Sequence, residues 1–297
     1  MIQTVYNGDF MDECDLSCET CAERDSCKDP RKEISEQQKL VSARTDRIRH
    51  KIIVASGKGG VGKSTVTVNL ARALSNKGYK VGILDADITG PNIPKLLGVD
   101  DQPLYQGELG IEPVDANGIK VISMAFVLSD KSSAVVWRGP MKMVAIRQFL
   151  TDVNWGDLDF MIIDLPPGTS DEPLSVVQLI PDLTGAVIVT TPQEVALLDS
   201  RKAVNMVKGM NVPVLGIIEN MSGLCCPSCG EIIDIFKTGG GKKAAEEMGV
   251  PFLGKIPLDQ QVCLLGDDGV TFVDQNSTTS KSFLEIVTRL LDEIGEN

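Results

Sequence analysis

The stretch Lys51–Asn69, KIIVASGKGGVGKSTVTVN, decides the fold of this chain. It begins with a β-branched apolar run, Ile52–Val54, which predicts a buried strand. A glycine-rich loop, Gly57–Gly62, follows and leads through Lys63–Thr65 into a helical pattern. The order of strand, G-x-x-x-x-G-K-[ST] and helix is typical of a phosphate-binding P-loop.

Each residue type in this loop suits a nucleotide phosphate. Glycines let the backbone N–H groups point inward at phosphate oxygens, and the start of the helix adds a partial positive charge. The Lys63 ammonium can reach the β- and γ-phosphates, and the Ser64 hydroxyl can bind Mg²⁺. The bland alternative is a glycine-rich turn that fits the pattern by coincidence. We therefore predict a site for ATP and Mg²⁺ built from Gly57, Lys58, Gly59, Gly60, Val61, Gly62, Lys63, Ser64 and Thr65.

Acidic residues follow two further predicted strands. Asp85 and Asp87 end the strand after the P-loop helix, and Asp164 ends the apolar run FMIID. In a parallel sheet these carboxyl ends meet beside the P-loop, where ligands bind. We expect Asp87 to orient or deprotonate the attacking water, and Asp85 and Asp164 to hold the Mg²⁺ shell. A capping role for Asp85 or Asp87 is the alternative.

Strand and helix patterns alternate from Lys51 onward, which predicts an α/β fold with a mostly parallel central sheet and helices on both faces. We divide the chain into a tail and linker, residues 1–47, and a P-loop ATPase domain, residues 48–297. Further strands are predicted at Lys80–Leu84, Lys120–Val127, Phe160–Asp164, Ala186–Thr190, Val214–Ile218 and Phe252–Ile256. Helices are predicted at Met141–Leu150, Glu194–Lys208, Gly241–Met248 and Ser282–Ile294.

Composition narrows the class of protein. The net charge of −12 disfavours a general nucleic-acid partner, because phosphate binding calls for a basic excess. No apolar run is long enough to cross a membrane, and the first residues do not resemble a signal peptide. We therefore expect a cytoplasmic protein with neither a nucleic-acid nor a membrane partner. In that reducing compartment its eight cysteines favour metal ligation over disulfides.

Half of these cysteines lie in the tail. Cys14, Cys18, Cys21 and Cys27 follow the spacing C-x3-C-x2-C-x5-C. Their thiolates can close around one tetrahedral metal ion or one [4Fe–4S] cluster. Zinc and iron–sulfur both remain open, since spacing alone does not separate them.

A second cysteine motif, Cys226-Pro-Ser-Cys229, lies between two predicted strands. One C-x-x-C pair is half a metal site, so a two-fold dimer could ligate one bridging [4Fe–4S] cluster with two pairs. A zinc knuckle is the alternative, and Cys225 could compete as a ligand. Cys263, in an apolar setting, is predicted to be a buried core residue. The sole histidine, His50, has no obvious partner and receives no role.

The segment 58–65, KGGVGKST, resembles the deviant P-loop of the ParA/MinD ATPase superfamily. More of the chain resembles one branch of it, the Mrp/ApbC group of P-loop ATPases that carry iron–sulfur clusters. The similar stretches are SGKGGVGKSTV, DADITGPNIPKLLG, VVWRGPM, DFMIIDLPPGTSDEPLSV, TTPQEVALLDSRKA, ENMSGLCCPSCG and FKTGGG. They run from about residue 51 to 260.

This resemblance implies a homodimer with ATP at the interface and a labile cluster between the two C-x-x-C pairs. It implies ATP-dependent transfer of that cluster to apo iron–sulfur proteins. Lys58 would then reach the partner's nucleotide, while Cys226 and Cys229 would ligate the cluster. Asn220 and Pro257 stand where the superfamily contacts adenine.

The tail is similar to that of eukaryotic cytosolic members, which also carry four cysteines. Cys18, Cys21 and Cys27 match their C-x2-C-x5-C, but Cys14 stands much closer to Cys18 than the family's first cysteine does. Either Cys14 is the fourth ligand in a tighter loop, or the tail binds something else. Two other functions stay open for the whole chain: a ParA/MinD-like positioning ATPase and an ATP-dependent electron-transfer reductase.

Overall fold

The apolar runs of the sequence form a parallel sheet in the computed structural model, which describes residues 39–127, 139–225 and 231–296. Eight strands make the central sheet, in the order β12-β9-β8-β1-β7-β2-β6-β5. All neighbours pair in parallel except β5 and β6, which are antiparallel. The strands are β1 (Ile48–Ala55), β2 (Val81–Asp85), β3 (Tyr105–Gly107), β4 (Gly110–Glu112), β5 (Val114–Asp115), β6 (Ile119–Ile122), β7 (Leu158–Asp164), β8 (Gly185–Thr190), β9 (Val214–Glu219), β10 (Leu224–Cys225), β11 (Ile232–Ile233) and β12 (Phe252–Lys255).

Helices cover both faces of this sheet. Residues 39–45 are also helical, and the helices that follow β1 are α1 (Lys63–Asn76), α2 (Ile93–Leu96), α3 (Gly139–Thr151), α4 (Asp171–Leu179), α5 (Glu194–Gly209), α6 (Gly240–Met248), α7 (Gln260–Asp267) and α8 (Thr278–Ile294). Successive β1 residues point to opposite faces, so Ile52 packs with α1 and α8 while Ile53 packs with α3 and α5. The predicted α/β architecture with two covered faces is therefore confirmed.

Local signals explain the ends of the helices next to the site. Gly62 precedes α1 with φ +84, a left-handed conformation that favours glycine. Gly78, with φ +93, follows the end of α1 in the same conformation. Ser277 caps α8 through its hydroxyl, which accepts a hydrogen bond from the Ser280 N–H at 3.0 Å.

Some predicted elements differ in extent. The strand predicted to reach Val127 ends at Ile122, and Met124–Phe126 form a 3₁₀ turn instead. The Ser123 hydroxyl causes the break, because it accepts from the Ala125 N–H at 3.2 Å and caps the turn. The helices α2, α4 and α7 were not predicted.

Two predictions about single residues are wrong. Cys263 is exposed, because α7 lies on the surface and buries none of its residues. His50 does have partners: its Nε2 lies 3.1 Å from Glu296 Oε1, and its ring stacks on Phe160 at 5.0 Å. The contact with Glu296 spans 246 positions in the chain, so local sequence carried no sign of it.

Residues Val41–Asn297 form one compact unit. The boundary predicted at residue 47 stays a prediction, because residues 1–38 lie outside the described part of the chain. Within the described residues, no helix is both long and apolar enough to cross a membrane.

Candidate nucleotide-binding site

The P-loop connects the end of β1 to the start of α1 at the carboxyl edge of the sheet. Its shape depends on tight contacts that only glycine allows. A Cβ at Gly57 would lie 2.2 Å from the backbone of Asp199 in α5. A Cβ at Gly62 would lie 2.2 Å from the side-chain nitrogen of Asn220. The loop is therefore packed against the rest of the domain and not merely flexible.

Alanine at Gly57 should weaken ATP binding more than tenfold, because the added methyl group collides with the α5 backbone and must displace the loop. Gly209→Ala is the matched control, since Gly209 ends the same helix, lies outside the P-loop, and its Cβ would meet nothing within 4 Å. We expect that variant to bind ATP within about threefold of the parent protein. Titration with a fluorescent ATP analogue measures both. Equal losses in the two variants would show that the packing against α5 does not shape the loop.

A buried carboxyl group joins the P-loop to β7. Asp164 Oδ2 accepts hydrogen bonds from Lys63 Nζ and Ser64 Oγ, both at 2.7 Å. Its Oδ1 accepts from Thr67 Oγ1, also at 2.7 Å. The side chain of Lys63 is only 6% exposed and that of Asp164 only 1%, so this ion pair is shielded from water. Sequence reasoning predicted Lys63, Ser64 and Asp164 here but missed Thr67, which stands one helical turn after Lys63.

Asp85 lies beside Asp164, since the two residues are register partners on β2 and β7. Asp85 is fully buried and accepts from Ser123 Oγ at 2.8 Å and from the Asp87 N–H at 3.2 Å. Burial, and next the negative charge of Asp164, raise the pKa of Asp85 well above its ordinary value. The ionised form of this carboxyl group is therefore disfavoured in the protein alone, and a further cation bound beside it would oppose the rise in pKa.

Replacement of Asp85 by asparagine should stabilise the nucleotide-free protein at neutral pH. Because the pKa of Asp85 is higher in the folded than in the unfolded state, unfolding releases a proton above about pH 4, and stability falls as pH rises. Asparagine removes that dependence, keeps an oxygen that accepts from the Asp87 N–H, and turns an amide N–H toward Ser123 Oγ, which then accepts instead of donating. We expect a melting temperature about 2–5 °C higher at pH 7 in EDTA, with the difference vanishing near pH 4. A lower melting temperature at pH 7 would contradict this account.

Asp87 is a second acid close to Lys63. Its Oδ2 lies 4.0 Å from Lys63 Nζ, and its Oδ1 accepts from the Gly90 N–H at 3.2 Å. Burial raises the pKa of Asp87, and the charges of Asp164 and Glu172 add to this, while Lys63 and the Gly90 N–H oppose it. A carboxyl group so placed can hold or accept a proton next to a bound phosphate.

A cavity of about 340 Å³ opens above the P-loop. The wall contains eight predicted site residues: Lys58, Gly59, Gly60, Gly62, Lys63, Ser64, Thr65 and Asp87. The predicted Gly57 and Val61 are not part of it, and the rest of the wall comes from Ser56, Asn92, Lys95, Leu96, Pro167, Gly266 and Asp267. The position of Asn92, Lys95 and Leu96 was not predicted, because α2 was not.

The two predicted adenine contacts lie at neighbouring strand ends. Asn220 follows β9, and its Nδ2 donates to the Val61 carbonyl of the P-loop at 2.8 Å. Pro257 follows β12 and is half-buried. The Ser222 N–H donates to the Ile256 carbonyl at 2.9 Å, so the two segments run side by side. The cavity wall as described includes neither Asn220 nor Pro257, and their contact with adenine stays a prediction.

The predicted cysteine ligands lie outside the described residues: Cys14, Cys18, Cys21, Cys27, Cys226 and Cys229. What the structure does describe is the frame of the second motif. β10 pairs antiparallel with β11, through Leu224 with Ile233 and Cys225 with Ile232. Over residues 39–127, 139–225 and 231–296, no group of three or more histidine, cysteine or acidic side chains is arranged to hold a metal ion.

The parallel sheet, the glycine loop before α1 and the Lys63–Asp164 pair together define a P-loop NTPase. The family model described as ParA: NUBPL iron-transfer P-loop NTPase matches residues 47–291, and the chain belongs to this family. The resemblance drawn from the sequence is thereby confirmed.

Curated relatives agree with this assignment. The chain is 51% identical to an iron-sulfur cluster carrier protein of Methanocaldococcus jannaschii, over 96% of this chain and 98% of the relative. It is 47% identical to the cytosolic Fe-S cluster assembly factor NUBP2 homolog of Dictyostelium discoideum, over 82% of this chain and 94% of the relative.

Solved structures show the same fold. A nucleotide-binding protein of Archaeoglobus fulgidus in complex with ADP superposes with a TM-score of 0.73 at 40% identity, covering 83% of this chain and 96% of that one. The cell division ATPase MinD of Pyrococcus furiosus superposes with a TM-score of 0.61 at 25% identity, covering 82% and 99%.

Proposed function

We propose that this protein is an ATP-hydrolysing iron–sulfur carrier. In this proposal two copies assemble one [4Fe–4S] cluster at their interface, as cargo, and transfer it to apo iron–sulfur proteins in the cytoplasm. Membership of an iron-transfer NTPase family supports an iron–sulfur cluster as the cargo. The cavity above the P-loop supports the binding of ATP. The acidic chain, with a net charge of −12, gives no reason to add a nucleic-acid partner.

The observation that carries the proposal is a short connection between the P-loop and the second cysteine motif. Asn220 touches the P-loop through the Val61 carbonyl, and β10 begins four residues later. The Gly223 carbonyl accepts from the Leu258 N–H at 2.7 Å, which fixes the chain between these two points. Cys226 and Cys229 then follow in the sequence between β10 and β11. Only a few residues of the chain therefore separate the P-loop contact from the cysteines. A conformational change at the nucleotide can be transmitted to the cysteines through this short segment.

The P-loop side chains supply the chemistry of hydrolysis in this proposal. Lys63 would bind the β- and γ-phosphates, and Lys58 would reach the nucleotide of the partner subunit. Asp87 would orient the attacking water and hold its proton. Ser64 and Asp164 offer the hydroxyl and carboxylate oxygens that Mg²⁺ prefers, and Asp85, the register partner of Asp164, would help to hold the ion. When bound, Mg²⁺ would neutralise charge on the phosphates.

The thiolates of Cys226 and Cys229 would supply half the ligands of the shared cluster, and the same pair in the second copy the other half. A cluster held between two copies can leave when they separate. We assign the tail cysteines Cys14, Cys18, Cys21 and Cys27 to a second iron–sulfur site within one chain. Iron that remains bound to a Cys226→Ala/Cys229→Ala variant, and is lost when Cys18→Ala is added, would identify that second site.

The proposal is tested by anaerobic reconstitution with iron and sulfide, followed by transfer to an apo [4Fe–4S] acceptor with and without Mg·ATP. We expect ATP-dependent transfer, and its loss in the Cys226→Ala/Cys229→Ala variant. Cys263→Ala is the matched control, since this exposed cysteine lies on α7, outside both motifs, and should leave transfer unchanged. Uptake of zinc alone would overturn the carrier function. A cluster that cycles redox state but never leaves would indicate an electron-transfer reductase instead.

A further inference from the structure

A buried lysine outside the wall of the nucleotide cavity joins the loop that follows β2 to the first turn of α4. Lys142 lies on α3, is 8% exposed, and its Nζ is 2.9 Å from both Thr89 Oγ1 and Glu172 Oε1. A lysine seldom loses its water unless its charge is paired. Here the ammonium donates to one acceptor in the loop after β2 and to one in α4. The cavity wall contains none of these three residues, so they do not line the proposed nucleotide site.

The first acceptor is fixed to Asp87. Thr89 stands two residues after Asp87, and the Gly90 N–H donates to Asp87 Oδ1 at 3.2 Å. Residues 87–90 therefore form a closed turn with Thr89 inside it. A constraint on the Thr89 hydroxyl is passed to the Asp87 carboxyl group through this turn.

The second acceptor is fixed to the P-loop. Glu172 lies in the first turn of α4, where a negative side chain also suits the helix dipole. The loop before α4 is anchored by the Gly168 N–H, which donates to the Ser56 carbonyl at 2.9 Å. The Lys142 ammonium is thus hydrogen-bonded to the loop that carries Asp87. It is also hydrogen-bonded to α4, and the loop before α4 contacts the start of the P-loop.

We propose that Lys142 is a positioning residue that makes the loop after β2 and the start of α4 respond to the nucleotide as one unit. The expected effect of Lys142 on the rate of ATP hydrolysis rests on the proposed function. The coupling between the loop after β2 and the start of α4 does not depend on it. Because both contacts share one ammonium group, moving either segment alone breaks a charge-assisted hydrogen bond, whereas moving both together keeps the two bonds.

The kinetic test compares Lys142→Met with Lys120→Met. Lys120 is a suitable control because its half-buried Nζ donates to the Trp155 carbonyl at 2.7 Å, away from the cavity wall. We expect Lys142→Met to lower kcat for ATP hydrolysis about tenfold with the ATP Kd within about threefold, and Lys120→Met to change neither. Lys142→Arg should restore part of the rate. Glu172→Gln should cost little in the Lys142→Met background, since the two residues act together.

Hydrogen exchange tests the coupling without hydrolysis. On addition of a non-hydrolysable ATP analogue, peptides covering residues 85–92 and 165–174 should become protected together in the parent protein. In Lys142→Met one should respond without the other. Joint protection that persists in the variant would overturn the inference. So would a rise in the ATP Kd by as large a factor as the fall in kcat. If the parent protein hydrolyses no ATP but its exchange is coupled, the proposed function fails and this inference stands.

Discussion

Replacement of Asp164 by alanine should lower the free energy of unfolding by about 3 kcal/mol and reduce ATP hydrolysis at least a hundredfold. The variant loses three hydrogen bonds at once, from Lys63, Ser64 and Thr67, each 2.7 Å long. It also leaves the Lys63 ammonium buried, with the Asp87 carboxyl group 4.0 Å away as its remaining ion-pair partner among the described residues. Loss of the repulsion between Asp164 and Asp85 offsets part of this cost, but one relieved contact does not outweigh three lost ones.

A matched control comes from an exposed ion pair of the same length. Arg47 and Asp157 are also 2.7 Å apart, but their side chains are 61% and 66% exposed, against 6% and 1% for Lys63 and Asp164. Water and salt screen such a pair, so Asp157→Ala should leave the urea midpoint unchanged within error. Equal midpoints for Asp157→Ala and Asp164→Ala would show that burial adds nothing to the Lys63–Asp164 interaction.

The double variant Lys63→Met/Asp164→Asn separates stability from chemistry. Removing both charges avoids an unpaired buried ion, so the loss of stability should be smaller than the sum of the single losses by more than about 1 kcal/mol. Hydrolysis should stay as low as in Asp164→Ala, because this variant lacks both the ammonium that we propose binds the phosphates and the carboxylate that we propose holds Mg²⁺. Urea unfolding and a phosphate-release assay measure the two effects on the same samples.

The P-loop and its acids were predictable because their signals are local. A glycine pattern between an apolar run and a helix fixes the loop, and the parallel sheet then brings Asp85 beside Asp164 without further information. Thr67 could also have been found, since it stands four residues after Lys63 on the same helix face. The roles of these residues in catalysis stay predictions.

Other features needed the tertiary structure. The apolar run after Ile122 is compatible with both a strand and a 3₁₀ turn, and the Ser123 hydroxyl decides between them. The apolar neighbours of Cys263 suggested a core position, yet α7 is a surface helix. Lys142 meets Glu172 across 30 positions and Thr89 across 53, separations at which a single sequence gives no pairing signal.

Replacement of Glu219 by alanine should abolish cluster binding at Cys226 and Cys229 while changing ATP affinity less than threefold. Glu219 is fully buried at the end of β9. Its Oε1 accepts from Ser222 Oγ at 2.5 Å and from the Gly239 N–H at 3.0 Å, and its Oε2 accepts from the Gly241 N–H. This one side chain therefore fixes the segments on both sides of the β10–β11 pair.

The loss of stability around the cysteine motif should be large, because alanine leaves three hydrogen-bond donors without their acceptor. Two of these donors lie at the start of α6. Buried donors without partners cost about 1–3 kcal/mol each, partly recovered where water enters. We expect an unfolding free energy lower by about 3 kcal/mol. Iron and sulfide content after anaerobic reconstitution, urea unfolding and ATP titration give the three readings. Glu219 lies outside the wall of the nucleotide cavity, which is why ATP binding should survive.

Ser222→Ala distinguishes the frame around the cysteines from general destabilisation. It removes one donor and keeps both backbone hydrogen bonds to Glu219, so cluster content should remain within about twofold of the parent protein. A cluster content in Glu219→Ala equal to that of Ser222→Ala would mean that the anchoring of α6 to β9 does not support the cysteine motif. A loss of ATP binding in Glu219→Ala, with the fold intact by circular dichroism, would instead show that Glu219 acts on the P-loop through Asn220.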